Sequence, residues 1–271
     1  MKPEKKYELF NSIKLKYNVI SNKFYKRDSF FQDPTESEKF STIAIWDVLE
    51  YYKIDIETFW KYVDNWPTCE RELWLRSKNP VEFYLKWNDR YSMLNVCANT
   101  INQLAWTKYQ TIVPYYFSNN GIYADFGCGT ATLSLGLKIN DRIKGDLILL
   151  DIPNDVQDYV KYRINKYNLN GHVKYQDAIN FKENFSFDGI LCIDVLEHIE
   201  NSSEVFIEKI VPMIKKGGFL ILRAPWRGQL THPDSAADNF YGCGGRQFLS
   251  KHFKEVFRFG TTDIDCVYKK V

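Results

Sequence analysis

The chain has 271 residues, enough to bury a core without disulfide or metal staples. Hydrophobic residues make up 45% of it, which excludes a disordered chain, and 36 basic against 34 acidic side chains leave a net charge of +2, which excludes a general pull toward nucleic acid or anionic membrane. Six cysteines without a CxxC pair argue against a zinc ribbon or a thioredoxin-like motif and fit a reducing compartment.

The amino-terminal stretch, Met-Lys-Pro-Glu-Lys-Lys, leads into no apolar run, and no segment reaches the roughly 18 apolar residues of a membrane span. The expectation is a soluble, cytoplasmic protein. Residues 1–27 are rich in lysine and read as a loosely docked arm. Lys2, Lys5, Lys6, Lys14, Lys16, Lys23, Lys26 and Arg27 would supply the contacts of an RNA-directed alternative. Thr35 and Glu38 form a capping box, so a helix is predicted from about 36, carrying Phe40, Ile43, Ile45, Trp46 and Leu49. A second short helix is predicted over 56–64. Asn79-Pro80-Val81-Glu82 is a further start signal, a cap residue followed by Pro at the first helical position and Glu in the first turn. A long helical stretch from about 92 to 112 runs toward Pro114. Residues 1–118 therefore read as a helical cap or substrate region.

From about 121 onward short apolar runs alternate with amphipathic stretches, the pattern of strand-helix repeats around a mainly parallel sheet. Strands are predicted at 122–126, 146–150, 173–176, 188–193 and 219–223. Helices are predicted over 130–137, 154–168 and from the fourth strand to about Ile214, where Gly217-Gly218 breaks the last. The tail from 246 to 268 supplies one more helix and two final strands. Aromatic residues are 16% of the chain, which suits either an aromatic-rich core or an aromatic-lined pocket.

The chemistry-bearing residues fall at strand ends. Asp125-Phe126-Gly127-Cys128-Gly129-Thr130 lies between a strand and a helix, where glycines permit a sharp turn and the helix start presents free N–H groups. It lacks the third glycine of a dinucleotide fingerprint and the Gly-Lys-Ser/Thr of a P-loop. Asp151 ends the second strand, where a carboxylate can accept from a ribose diol. Asp177-Ala178 follows the third strand. The fourth strand ends in Asp194-Val195-Leu196-Glu197-His198. All four sites share the carboxyl edge of the sheet, where ligands of open parallel sheets bind.

In this order the motifs resemble the class I (Rossmann-like) S-adenosylmethionine (SAM) dependent methyltransferase superfamily, over about 120–225 and more loosely over 226–271. The resemblance implies an α/β fold, a seven-stranded mainly parallel sheet with helices on both faces and an antiparallel last strand, with 119–271 as the SAM-binding domain. It implies that Asp125, Gly127 and Gly129 hold the methionine end of SAM, that Asp151 binds the ribose and Ile152 packs on adenine, that Asp177 and Ala178 meet the adenine edge, and that Asp194 and Val195 line the methyl-transfer centre.

Asp194, Glu197 and His198 have the i, i+3, i+4 spacing of one helical face and are similar to the Glu-x-x-Glu-His metal motif of some O-methyltransferases, with Asp in place of the first Glu. No metal is assigned. Glu197 and His198 are read as walls of the SAM or substrate pocket, and His198 and His232 as the candidate catalytic bases. Gly242 to Gly245 reads as tight turns or a lid edge. The expected activity is methyl transfer to oxygen or nitrogen of a small molecule or peptide. The alternatives are an RNA-directed methyltransferase, a nicotinamide-dependent oxidoreductase and a non-catalytic partner subunit of the same fold.

Overall fold

The structure, a computed structural model, describes residues 34–181, 186–226, 230–259 and 265–271, with side chains described from Phe40. The lysine-rich arm, the side chains of the Thr35/Glu38 capping box and positions 227–229 lie outside the described residues.

Among the described residues, five helices precede the sheet: α1 (Pro34–Tyr52), α2 (Ile56–Leu75), α3 (Pro80–Leu85), α4 (Asp89–Leu104) and α5 (Thr107–Tyr116). Asp55 caps α2 by accepting the N–H of Thr58 at 2.7 Å, and Asn79 caps α3 by accepting that of Glu82 at 2.8 Å. Two expectations are corrected here. The second helix runs on through Pro67, because Phe59, Trp60, Trp66 and Leu73 bury one continuous face and outweigh the hydrogen bond that Pro67 cannot donate. The stretch expected as one helix over 92–112 is two. The chain breaks at Ala105-Trp106, and this new direction carries Lys108 and Tyr109 to Asp265, which both contact.

The sheet follows: β1 (Ile122–Phe126), α6 (Thr132–Ile139), β2 (Asp146–Asp151), α7 (Val156–Lys166), β3 (Val173–Asp177), β4 (Phe187–Ile193), a single 3-10 turn (Leu196–His198), α8 (Ser202–Glu204) widening into a π-type turn (Val205–Ile210), β5 (Ile214–Arg223), α9 (Asp234–Gly242), α10 (Gly245–His252), β6 (Phe253–Arg258) and β7 (Asp265–Lys270). The seven strands lie in the order β3-β2-β1-β4-β5-β7-β6. β1 to β5 are parallel to their neighbours, and β7 is antiparallel to both of its own.

Three local corrections belong to this half. The helix expected from β4 to about Ile214 is present only over 202–210, as α8 running into the π-type turn, with the 3-10 turn of Leu196–His198 set apart before it. Gly217-Gly218 lies inside β5 rather than before it, in a bulge where the register jumps from Phe187↔Ile214 to Gly189↔Phe219 and Gly217 takes φ +80°. Residues 234–242 form a helix not expected from sequence, while the expected turn is present at Gly244, whose φ is +95°.

Alternation along the strands builds two cores. Tyr123, Leu147, Leu149 and Leu191 face a cluster that also takes in Phe40, Phe59, Trp87 and Leu94 from the amino-terminal helices. Ala124, Ile148, Leu150 and Cys192 face a second cluster with Phe206, Trp226 and Phe240. The helical region is thus one layer of the sheet domain's own core. A buried ion pair pins it there: Asp47 of α1 meets the Nε of Arg163 of α7 at 2.8 Å, with both side chains fully excluded from solvent. Lys166 and the hydroxyl of Tyr167 also donate to Asp47.

Candidate active site

Strand order reverses between β1 and β4, so the loops leaving their carboxyl ends diverge and open a crevice. The glycine turn lines one side of it. Gly127 and Gly129 hold φ of +73° and +53°. A Cβ on Gly127 would stand 2.4 Å from Cγ2 of Val195, so the turn after β1 and the turn after β4 pack in a way that admits no side chain at 127. The N–H groups of Gly127 and Cys128 both donate to the carbonyl of Leu150, which locks the turn onto β2.

Asp151 ends β2 beside this turn. Its carboxylate accepts the N–H of Gly129 and, at 2.7 Å, that of Ile152. Burial pushes its pKa up to about 6 against the pull of these two donors. Asp125 is more deeply buried, and its described side-chain hydrogen bond comes from the hydroxyl of Ser134. Burial pushes it up to about 7, opposed by Ser134 and assisted by the charge of Asp151. The crevice therefore holds two carboxyls that burial makes reluctant to ionise, and a cation or a set of hydroxyl donors placed there would relieve both.

Asp177 pairs in register with Asp151, at the same edge. Its oxygens accept from the N–H of Ile179, the N–H of Asn180 and the side-chain amide of Asn180, so they fold the turn after β3. Ala178 donates its N–H to the carbonyl of Asp151. Ile152 and Ala178 are both half-buried.

Asp194 departs from the helical reading. Its φ is +56°, a left-handed conformation, and its carboxylate turns to both receive Nη1 of Arg223, the last residue of β5. Burial raises the Asp194 carboxyl to about 6 while Arg223 opposes the rise. Glu197 and His198 sit on the separate 3-10 turn, so the three residues do not share a helical face.

His232 takes the place that the sequence pattern gave to Asp194. One potential ligand atom each of Glu197, His198 and His232 lies within 4.8 Å of the others. The two imidazoles meet edge to face with centroids 4.6 Å apart, and the ring of Tyr84 from α3 stands 5.6 Å from that of His198. Glu197 is fully buried, and neither of its oxygens has a hydrogen-bond partner among the described residues; the N–H groups of Val195 and Glu197 favour its charge without reaching bonding geometry. Desolvation drives its pKa well up, with the charge of Asp194 adding to the rise. Burial holds His198 down at about 4, helped by His232 and opposed by the Thr231 carbonyl. Burial also lowers His232.

Three participants carry no motif. Gln103 of α4 donates to the carbonyl of Cys128 at 3.1 Å and accepts the N–H of Leu133 at 3.1 Å, splinting the glycine turn to the start of α6. Tyr84 is held over the site because Asn154 donates to its carbonyl at 3.1 Å. Arg223 could have been found, since it is a charge closing an apolar strand at the edge shared with Asp194. A glutamine within a helix gives no comparable signal.

Residues 124–222 match the family model for a methyltransferase domain. No curated protein matches the chain. Among solved structures it is similar to an O-methyltransferase family protein from Burkholderia thailandensis, with TM-score 0.50 and 14% identity over 77% of this chain and 70% of that one. It is also similar to the tRNA methyltransferase TrmK of B. subtilis, with TM-score 0.41 and 17% identity over 60% of this chain and 64% of that one. A third is an S-adenosylmethionine-dependent methyltransferase from Clostridium acetobutylicum, with TM-score 0.34 and 21% identity over 42% of this chain and 47% of that one. The match thus spans less than two thirds of the second protein and about half of the third. At 14% identity the likeness to the first is one of fold. No helix among the described residues is long and apolar enough to cross a membrane.

Proposed function

We propose that this chain, whose residues 124–222 match the family model for a methyltransferase domain, is a class I SAM-dependent enzyme that methylates an oxygen or nitrogen of a small molecule or peptide. The observation that carries this reading is the placement of Glu197, His198 and His232 together beyond β4, the strand that adjoins the glycine turn of β1.

The buried carboxyls fit the methyl donor. Asp125, with one described hydroxyl partner, suits a cationic amino group, and Asp151 retains lone pairs for ribose hydroxyls after accepting two N–H groups. Gly127 and Gly129 leave backbone where side chains would stand. Ile152 and Ala178 offer apolar surface to a flat base, and Asp177 orders the turn beside it. Asp194 and Val195 border the transfer centre. When bound, SAM supplies a methyl group on a sulfonium, whose S–C bonding pair returns to sulfur as the acceptor's lone pair forms the new bond.

The chain's own task is then to exclude water, align the acceptor and take up its proton. His198 and His232 are the candidate bases. Burial favours their neutral form, so each has a lone pair to offer near neutral pH. The helical region reaches the site through Tyr84, and we assign to residues 1–118 the shaping of acceptor choice. The near-neutral charge and the Tyr84 ring beside His198 favour a small or peptidic acceptor over a polyanion.

Incubation of the full chain with methyl-labelled SAM and separated metabolite, peptide and RNA pools tests the reading. Label in the metabolite or peptide pool is expected. Label confined to RNA would overturn it.

A further inference from the structure

The group of Glu197, His198 and His232 has a feature that a pocket wall does not explain. A fully buried carboxylate with no hydrogen-bond partner among the described residues is costly, and such groups are ordinarily paired or bound to a metal. Nδ1 of His232 is buried and likewise without a partner among the described residues. His198 is differently placed: its Nδ1 lies 3.0 Å from the carbonyl of Thr231. A carbonyl can only accept, so Nδ1 carries the proton and Nε2 is left with its lone pair. This is the arrangement by which a ligating histidine is oriented through its second nitrogen. Thr231 is the residue next to His232, so one short loop segment both supplies a donor atom and orients another.

We propose that Glu197, His198 and His232 bind a divalent first-row transition ion of the zinc or manganese class. Two imidazoles and one carboxylate suit such ions, and three protein ligands leave positions open for an exogenous oxygen. Asp194 is outside the set because Arg223 engages it. The ligand set is therefore not the one its spacing in sequence suggests. The ion would hold a hydroxyl of the acceptor and ease release of its proton to water, so with the ion bound it replaces the two imidazoles in the proton-removing role given to them above, and the acceptor atom narrows to oxygen. That last step rests on the methyl-transfer reading; the binding of the ion does not.

Titration of the metal-free full chain with Co2+, followed by visible absorption, tests the site without SAM. One ion per chain is expected, with ligand-field bands and no thiolate charge-transfer band. His232→Ala and Glu197→Gln, each checked for folding by circular dichroism, should weaken binding by about 100-fold or more, since loss of an orienting partner alone costs about 10–100-fold. Asp194→Asn should leave it within a few-fold of wild type. No bound Co2+ in the wild-type chain would overturn the proposal. So would binding that survives His232→Ala, or that is lost in folded Asp194→Asn while His232→Ala retains it. Calorimetry with S-adenosylhomocysteine on the same preparation keeps failure of the metal site separate from failure of the methyl-donor site.

Discussion

The carboxylate of Asp151 accepts the backbone N–H of Gly129, so the acid that ends β2 is tied to the glycine turn that follows β1. One residue thus both shapes the turn and offers its remaining lone pairs to the crevice. Asp151→Ala should weaken S-adenosylhomocysteine by roughly 1–3 kcal/mol, about 5- to 150-fold in Kd, from loss of charged hydrogen bonds. Calorimetry checks this, and unchanged affinity would remove Asp151 from the site.

The contact between Gly127 and Val195 gives a second test. Gly127→Ala places a methyl 2.4 Å from Cγ2 and 2.8 Å from Cγ1 of Val195 and puts an L-residue at φ +73°. A loss of at least about 10-fold in product affinity is expected. Adding Val195→Ala removes the two clashing carbons but not the backbone strain of about 1–2 kcal/mol. The double variant should recover only part of the loss, and full recovery would show that the left-handed turn is not required.

Asp125 couples stability to binding. Burial holds its folded pKa near 7, above the unfolded value of about 4. Its contribution to stability is therefore full below about pH 4 and is lost as pH rises through about 7. Asp125→Asn keeps an acceptor for Ser134 and abolishes the ionisation. At about pH 8 it should resist urea better than wild type, by on the order of 1–4 kcal/mol, with the difference shrinking as pH falls and little left at or below about pH 4. The same variant should bind S-adenosylhomocysteine more weakly, and wild-type affinity should tighten as pH rises through about 7. A variant no more stable at alkaline pH would contradict the burial argument.

Asp47 and Arg163 test the joint between the helical region and the sheet. Asp47→Ala leaves the guanidinium of Arg163 buried, with Nη1 and Nη2 already lacking partners among the described residues. A loss of about 3–5 kcal/mol is expected from breaking a buried pair on one side. Urea unfolding measures it, and a change under about 1 kcal/mol would mean that the pair is not held as described.

Much of this architecture was legible before the structure. The strands expected at 122–126, 146–150, 173–176 and 188–193 follow from short apolar runs closed by Asp or Gly, and the structure carries them at 122–126, 146–151, 173–177 and 187–193. What sequence did not yield depends on contacts far along the chain. The break at Ala105-Trp106 makes sense once Lys108 and Tyr109 meet Asp265. Helix α2 survives Pro67 through tertiary burial that no local rule anticipates. The Asp194-x-x-Glu197-His198 spacing suggested a single helical face. The left-handed backbone at Asp194 and its pairing with Arg223 divide that group, and His232, remote in sequence, completes it.

The most direct measurement is isothermal titration of S-adenosylhomocysteine into the full chain, repeated with SAM and with NAD. Saturable binding of both SAM species at one site per chain, weakened in Asp151→Ala, is expected, with no binding of NAD. A folded protein that binds NAD, or that gives no binding with either SAM species, would contradict that expectation.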